Sequence, residues 1–264
     1  MLDKGSVDEL ASNLGISRRK LNYWFAPFRD MEFAVEKGNC KDKYLVIDGF
    51  VHSGETTLVA AVGPHEVISW SFVQRENATA WREFLSTLDK PLVVVGDGQK
   101  GMIKAIKQIW PDVVFQRCRF HVYNYNKRKL KANPRSIAAK SLKTLTVMAT
   151  KIDNFDDLHT WLKLYNAWQR ECGDFVQEKT YYINSRGRKC WHYTHKDLHA
   201  AYSHLKNALP NLFQFLWFAG LPATSNILEG GINSPMREHL YTHRGASLQT
   251  QRQIISVFLR SRRR

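Results

Sequence analysis

The stretch Tyr44-Leu-Val-Ile-Asp48-Gly-Phe-Val51 decides the fold, because it is typical of a buried β-strand that carries an acidic residue. Two further strand-like runs follow it at 56–63 and 66–73. The breaks between these runs are short and contain Gly, Ser or Pro, which favours hairpin turns. The sequence therefore predicts three antiparallel strands in succession.

A second acidic residue follows another apolar run, Leu92-Val-Val-Val-Gly-Asp97. A continuous run of this kind indicates a strand buried on both faces that ends at its carboxylate. Helical spacing of apolar residues predicts a helix over 78–88, and we expect a helix over 99–110 and a strand over 113–118. Three strands, a helix, a strand, a helix and a strand predict an α/β fold with a mixed β-sheet flanked by helices.

The rest of the chain has a different character. Residues 127–221 lack strand-rich segments, apart from a local hairpin expected near 181–191, and we interpret them as a mainly helical insertion. Residues 1–30 contain two short helical segments broken at Gly15, and the spacing of Ala11, Gly15 and Leu21 resembles a DNA-binding helix-turn-helix. An ordinary helical hairpin is the alternative for this segment. The start of the chain leaves too few residues for a complete module of this type, so we expect a partial one.

Composition and hydropathy narrow the class of protein. The chain has 264 residues, of which 44% are hydrophobic and 24% are charged, as in folded globular proteins. No apolar run reaches the roughly 18 residues of a membrane span, and the first residues do not resemble a signal peptide. We expect a cytoplasmic, nucleoid-associated protein without a membrane partner.

The positive charge is concentrated in two blocks. The net charge is +15, and residues 99–140 hold eleven basic residues against Asp112 alone, while residues 230–264 hold seven against Glu238 alone. Nucleic acid is the polyanion that such blocks favour, since basic side chains neutralise its phosphates. Solvated helical faces are the alternative. The residues predicted to contact DNA are Arg18, Arg19, Asn22, Lys100, Arg117, Arg119, Lys127, Arg128 and Lys129.

Three acidic residues could converge at one edge of the predicted sheet. Asp48 and Asp97 end or interrupt strands, and Glu229 lies on a helix predicted over 226–238. Carboxylates that meet at one point repel each other and require cations, and oxygen ligands suit Mg²⁺ or Mn²⁺. Two such ions about 4 Å apart would support in-line phosphoryl transfer. Taken singly, an aspartate at a strand end is more often a turn or cap residue, and it is the joint pattern that favours a catalytic site.

Four motifs together resemble bacterial insertion-sequence transposases related to the Mutator-like group. They are Val46-Ile-Asp48-Gly49, Gly96-Asp97-Gly-Gln-Lys-Gly101, Cys118-Arg-Phe-His121 and Thr224-Ser-Asn-Ile-Leu-Glu229-Gly-Gly-Ile-Asn233. The resemblance implies a ribonuclease H-like catalytic domain of the DDE type, with Asp48, Asp97 and Glu229 as catalytic, metal-binding residues. It implies two Mg²⁺ ions, which Mn²⁺ could replace. The remaining family-motif residues are Cys118, His121, Asn226, Asn233 and Arg244.

Zinc is not expected, because Cys118 and His121 would supply only half of a zinc site. Local packing or DNA contact is the preferred interpretation of this pair.

The resemblance divides the chain and sets the functional hypotheses. Residues 41–126 and 222–247 would form the catalytic domain, 127–221 the insertion and 248–264 a basic C-terminal helix and tail. The expected function is Mg²⁺-dependent cleavage and strand transfer, by a homo-oligomer, on the terminal inverted repeats of the element and on target DNA. The alternatives are another ribonuclease H-like nuclease, or a truncated transposase product that binds DNA without cutting it.

Overall fold

The computed structural model describes residues 7–29, 39–63 and 65–263. The ends of the predicted 1–30 segment, residues 1–6 and 30, and the last residue of the predicted 248–264 tail lie outside this range. Among the described helices, none combines the length and the apolar character that crossing a membrane requires.

The central sheet has five strands in the order β3-β2-β1-β4-β5. They are β1 (Tyr44–His52), β2 (Glu55–Gly63), β3 (Glu66–Val73), β4 (Val93–Gly96) and β5 (Val114–Arg117). The first three pair antiparallel, with Asp48 opposite Val59 and Leu58 opposite Ser71. The predicted antiparallel trio and the mixed α/β sheet are confirmed.

Helices occupy most of the remaining described residues. They are α1 (Val7–Asn13), α2 (Arg18–Arg29), α3 (Ala78–Leu85), α4 (Lys100–Ile109), α5 (Arg119–Leu130), α6 (Ile137–Ala149), α7 (Phe155–Gln177), α8 (Lys196–Ala208), α9 (Asn226–Leu228), α10 (Ser234–Thr242) and α11 (Leu248–Ser261). A separate hairpin of β6 (Lys179–Ile183) and β7 (Lys189–Tyr193) lies between α7 and α8. Helix α3 ends earlier than predicted because the hydroxyls of Ser86 and Thr87 donate to carbonyls of its last turn.

The chain folds as two compact units. The first unit takes its described residues from Met1–Val94, Gln99–Val113 and Ser225–Arg264, and its core includes the buried faces of β1, β2 and α3. The second takes Val95–Gly98 and Val114–Thr224. Its core is helical and is built around Leu142, Trp161, Trp168 and Leu205. The helical character and the hairpin expected within 127–221 are both present.

The two N-terminal helices pack on each other as the spacing predicted. Ala11 is 3% and Leu21 is 1% exposed, and Gly15 adopts φ +62° between the helices. Arg18 reaches back across the turn to Asp8, with an N···O distance of 3.0 Å. Function as a helix-turn-helix stays a prediction.

The helix predicted over 226–238 is longer and less regular than expected. Helix α9 continues directly into a π-helical turn, Glu229–Asn233, and then into α10. The Gly230-Gly231 pair, which weakens an α-helix, lies inside the π-helical turn. Pro235 does not end the helical segment, because it lies in the first turn of α10, immediately after the π-helical turn, and proline is tolerated in a first turn.

Helix α11 is tied to the β1–β2 hairpin by a buried carboxylate. Glu55 is 7% exposed and accepts two hydrogen bonds from the Arg252 guanidinium, with a Nε–Oε2 distance of 2.8 Å. Hydrogen bonding to Arg252 lowers the pKa of Glu55 below its ordinary value of 4.5, and burial opposes this shift. The pair stabilises the fold as long as Glu55 is ionised.

We expect Glu55→Gln to lower the free energy of unfolding by roughly 1–3 kcal/mol at neutral pH, since it removes a charge-assisted pair with Arg252. Because the folded-state pKa is lowered, this stabilisation is complete above the unfolded pKa and is lost as the pH falls through the folded pKa. Urea unfolding of both proteins from pH 7 downward measures the difference.

Glu66→Gln is the matched control, because Glu66 pairs with Lys43 at a more exposed site, where an ion pair contributes about 0–1 kcal/mol. An equal loss of stability in the two variants at every pH would contradict the special role of Glu55.

Candidate active site

Asp48 is a buried carboxylate in the middle of β1. It is 8% exposed, and its Oδ1 accepts a hydrogen bond from the Gly49 amide at 2.9 Å. Its Oδ2 accepts a hydrogen bond from Asn233 Nδ2 at 3.0 Å, across 185 residues of sequence. Both oxygens are thus oriented by donors.

The π-helical turn brings a second carboxylate to the same region. Glu229 begins this turn and Asn233 ends it, and the amide of Ser234 donates to the Glu229 carbonyl, which is the i to i+5 pattern of a π-helix. Glu229 and Asn233 are the two ends of this turn, so Glu229 lies within one helical turn of the residue that binds Asp48. Glu229 is half-buried.

Packing fixes the position of this turn. Leu228 and Ile232 are fully buried on either side of Glu229, and α9 packs against β1 and β2. A Cβ placed on Gly230 would lie 3.5 Å from Asn226 Oδ1, so the exposed Asn226 side chain lies beside the turn. The predicted motif residues 226, 229 and 233 therefore belong to one packed helical segment.

The chemistry of these donors suits a hard cation. Asp48 and Glu229 offer carboxylate oxygens, and the side-chain carbonyl of Asn233 is buried without a hydrogen-bond partner. Oxygen ligands of these types are those that Mg²⁺ takes in proteins. Within the described ranges, however, no three His, Cys, Asp or Glu side chains come together in a geometry that would hold an ion.

Asp97, the remaining predicted acid, lies in the second unit, in the loop that follows β4. It is half-buried, and the next residue, Gly98, has φ +79°. A Cβ on Gly98 would lie 2.5 Å from Arg117 Nε, so only glycine allows this turn to pass the guanidinium. Burial lowers the pKa of Arg117, and the negative charge of Asp97 opposes that shift.

Arg117 belongs to a buried polar network that sequence analysis did not find. The guanidinium Nη2 donates to His204 Nε2 at 2.8 Å, and His204 Nδ1 lies 3.3 Å from Asn126 Oδ1. Burial, and then the charge of Arg117, lower the pKa of His204 to about 4, so its ring is neutral and can accept this bond. Tyr125 stacks on the same ring, with 4.0 Å between centroids. No motif links positions 117 and 204, and no sequence signal could have paired them.

Cys118 and His121 lie at the junction of β5 and α5. Cys118 is 1% exposed, and its amide donates to the Gly96 carbonyl at 2.8 Å, beside the loop of Asp97. His121 is half-buried on the first turn of α5. The function of this pair stays a prediction.

The basic residues predicted to contact DNA differ in exposure. Arg18, Arg19, Lys100, Lys127 and Arg128 are exposed, as is the motif residue Arg244, while Asn22 and Lys129 are half-buried.

Arg117, which is buried, and Arg119, which is half-buried, make contacts within the protein. Arg117 is 8% exposed and bonded to His204, and Arg119 packs on the Phe215 ring at 4.4 Å and donates to the Ile152 carbonyl. These contacts give both guanidinium groups partners within the protein, and contact of Arg117 and Arg119 with DNA stays a prediction.

Another carboxylate lies near β1 and was not anticipated. Glu76 Oε2 would be 2.8 Å from a Cβ on Gly49, and Glu76 Oε1 accepts a hydrogen bond from Trp81 Nε1. Adjacent residues of a strand point to opposite faces, so Glu76 lies on the face opposite Asp48. It is therefore separate from the predicted acids.

Comparison with known proteins finds one family whose model matches this chain. A family model described as "Transposase, Mutator family" matches residues 47–183, just over half of the chain. This range includes Asp48, Asp97, Cys118 and His121, whereas Glu229 lies beyond it.

Two curated relatives are similar over shorter parts. The transposase for insertion sequence element IS1201 of Lactobacillus helveticus is 28% identical over 131 residues, covering 46% of this chain and 36% of the relative. The transposase for insertion sequence element IS6120 of Mycolicibacterium smegmatis is 32% identical over 68 residues, covering 24% of this chain and 21% of the relative. The match thus covers well under half the length of either relative.

We expect Asn233→Ala to lower the free energy of unfolding by roughly 1.5–3 kcal/mol, because it removes a buried hydrogen bond to the Asp48 carboxylate. Asn226→Ala is the control from the same motif, and as a change at an exposed position it should stay within about 0.5 kcal/mol of the wild type. Denaturant midpoints measure both. Equal effects would show that the Asp48–Asn233 bond does not stabilise the fold.

We expect Gly98→Ala to destabilise the protein more than Gly187→Ala. Both glycines have positive φ, +79° and +71°, but only Gly98 has the Arg117 guanidinium where a Cβ would be placed. An alanine held in the left-handed conformation should cost about 1–2 kcal/mol at either position. Any further loss of stability in Gly98→Ala measures the cost of displacing the Arg117 side chain. Thermal unfolding gives the two losses, and NMR of the His204 ring should shift in Gly98→Ala alone. Equal losses of stability in the two variants, with an unshifted His204 resonance, would contradict the close contact between Gly98 and the Arg117 guanidinium.

Proposed function

We propose that this chain, which belongs to the Mutator family of transposases, cuts the ends of an insertion sequence and joins them to target DNA with Asp48, Asp97 and Glu229 as its catalytic acids. The observation that carries the proposal is the hydrogen bond between Asp48 and Asn233. It joins the acid of β1 to the turn that begins with Glu229, which lies beyond the residues that the family model matches.

The proposal assigns the acids to Mg²⁺, with Mn²⁺ as a substitute. Bound Mg²⁺ would supply an activated oxygen nucleophile and would stabilise the leaving oxygen of a phosphodiester. The protein's part is to hold the ligands in place. Gly49 and Asn233 orient the two oxygens of Asp48, and the buried Leu228 and Ile232 fix the turn that carries Glu229.

Asp97 has a different environment in this proposal. The buried Arg117 offsets its negative charge electrostatically and is itself held by neutral His204. Opposite charges at close range attract each other, so the buried guanidinium helps to hold the Asp97 side chain in place. Arg117 would therefore act as a positioning residue for Asp97.

The sheet supports the further proposal of a ribonuclease H-like fold. Its order, β3-β2-β1-β4-β5, places the strand of Asp48 at the centre and next to the strand that precedes Asp97. Exposed cations such as Lys100, Lys127 and Arg128, and the α1–α2 pair with Arg18, Arg19 and Asn22, would bind DNA. The proposal includes a homo-oligomer that holds two element ends together on DNA, in the cytoplasm.

We expect Asp48→Ala, Asp97→Asn and Glu229→Gln each to reduce cleavage of an end-labelled duplex more than about a hundredfold. Loss of residues that only orient metal ligands already costs about 10–100-fold, so loss of a ligand should cost more. The duplex carries the inverted repeat that flanks the gene, and cut and joined products are resolved on denaturing gels with Mg²⁺, with Mn²⁺ and with EDTA.

Glu76→Gln is the matched control, because it removes a carboxylate beside β1 on the face opposite Asp48. Cleavage that persists in Asp48→Ala, or that survives EDTA, would overturn the assignment. Binding of the duplex by the wild type without any cut would instead support a DNA-binding product that does not cleave.

A further inference from the structure

The β6–β7 hairpin of the second unit carries an exposed aromatic surface. Its strands pair antiparallel with Tyr181 opposite Trp191 and Ile183 opposite Lys189, so these side chains share one face. The exposed fractions are 58% for Tyr181, 48% for Trp191 and 74% for Ile183. Three large apolar side chains exposed on one face exceed the single scattered ones that folded proteins normally expose, and this favours an interaction site.

Lysines lie over both rings of this face. Lys179 Nζ lies 4.1 Å from the centre of the Trp191 ring, and Lys189 Nζ lies 5.2 Å from the centre of the Tyr181 ring. The face therefore combines two aromatic rings with two ammonium groups that can reach whatever stacks on those rings.

The turn of the hairpin adds two arginines in a defined conformation. Asn184 Oδ1 accepts hydrogen bonds from the amides of Arg186 and Arg188, and Gly187 has φ +71°. Both arginines are exposed. Residues 179–193 contain four basic residues and no Asp or Glu, so the surface is complementary to a polyanion.

The hairpin is anchored at its base and open along this face. Tyr193 stacks on His199 of α8, and the hydroxyls of Thr180 and Thr194 lie 2.8 Å apart. The amide of Thr194 donates to the Glu178 carbonyl at 2.8 Å. A two-stranded hairpin alone is marginally stable, so these contacts are what hold Tyr181 and Trp191 in place.

We propose that this face, formed by Lys179, Tyr181, Ile183, Lys189 and Trp191, binds single-stranded nucleic acid, with bases stacked on Tyr181 and Trp191 and phosphates on the lysines and turn arginines. Paired bases in a duplex keep their faces covered by their neighbours, whereas unpaired bases can stack on aromatic side chains whatever their identity. A protein partner that carries both positive and negative charges would not require a surface with four basic residues and no acidic one. The choice of DNA over RNA rests on the proposed function, but the surface itself does not depend on cleavage.

The test measures the affinity of the 264-residue chain for a fluorescent oligothymidine strand by anisotropy. Trp191→Ala and Tyr181→Ala should each weaken binding roughly five- to a hundredfold, the range found for loss of one stacked base, while Trp191→Phe should retain most of the affinity. Trp217→Ala is the matched control, because Trp217 is 71% exposed outside the hairpin, and its loss should leave affinity unchanged. Circular dichroism checks that every variant is folded.

Salt titration separates stacking from charge. Replacing Lys179 and Lys189 together by Ala should reduce the slope of log affinity against log salt by about 0.7 for each lost phosphate contact, whereas the ring variants should keep the wild-type slope. Unchanged affinity in both ring variants would overturn the proposal, as would an equal loss of duplex binding. A change in oligomeric mass without a change in affinity would assign the face to contacts between copies and would also overturn it.

The outcome is separable from that of the proposed function. Loss of strand binding in the ring variants, combined with a wild type that does not cleave, would support this inference and reject the catalytic proposal. Cleavage that depends on Asp48, combined with ring variants that bind strands normally, would do the reverse.

Discussion

The hydrogen bond between Asn233 and Asp48 is the interaction on which the proposed active centre depends. Asp48 is buried in a strand, where an ionised carboxylate without donors would be strongly destabilising. The amide of Gly49 and the side chain of Asn233 supply those donors. Because Asn233 lies one turn after Glu229, the contact that makes burial of the first acid tolerable also fixes where the last acid lies. The same bond therefore contributes to stability and to the geometry of the proposed site.

The second unit contains a buried positive charge that also needs partners. Arg117 is buried, and its charge is compensated by the field of Asp97 and by a hydrogen bond to His204. His204 can serve only as a neutral ring, which is consistent with its lowered pKa of about 4. Gly98 is required because any side chain there would collide with the guanidinium. The glycine that follows the second acid in the sequence motif thus has a physical explanation in the packing of a buried cation.

Periodicity predicted the elements well and their irregularities poorly. Alternation and apolar runs placed β1 to β5 within a residue or two, because burial on a sheet imposes a simple pattern on sequence. The π-helical turn was missed, since an insertion of one residue into a helix depends on what Asn233 and Ile232 contact rather than on local propensity. The contact of Arg117 with His204 was missed for the same reason, because 87 residues separate the partners and no pattern connects them.

Sequence charge alone and charge combined with solvent exposure select different residues for the proposed binding of DNA. The block at 99–140 contains Arg117 and Arg119, whose guanidinium groups are taken up by contacts within the second unit. The hairpin residues Lys179 and Lys189 lie outside both basic blocks, yet they are placed over exposed rings. Phosphate is bound by cations that face solvent, so exposure must filter any list drawn from sequence charge. Applied to this chain, that filter gives less weight to Arg117 and Arg119 and adds the hairpin to the residues proposed to bind nucleic acid, although the charge blocks alone do not identify it.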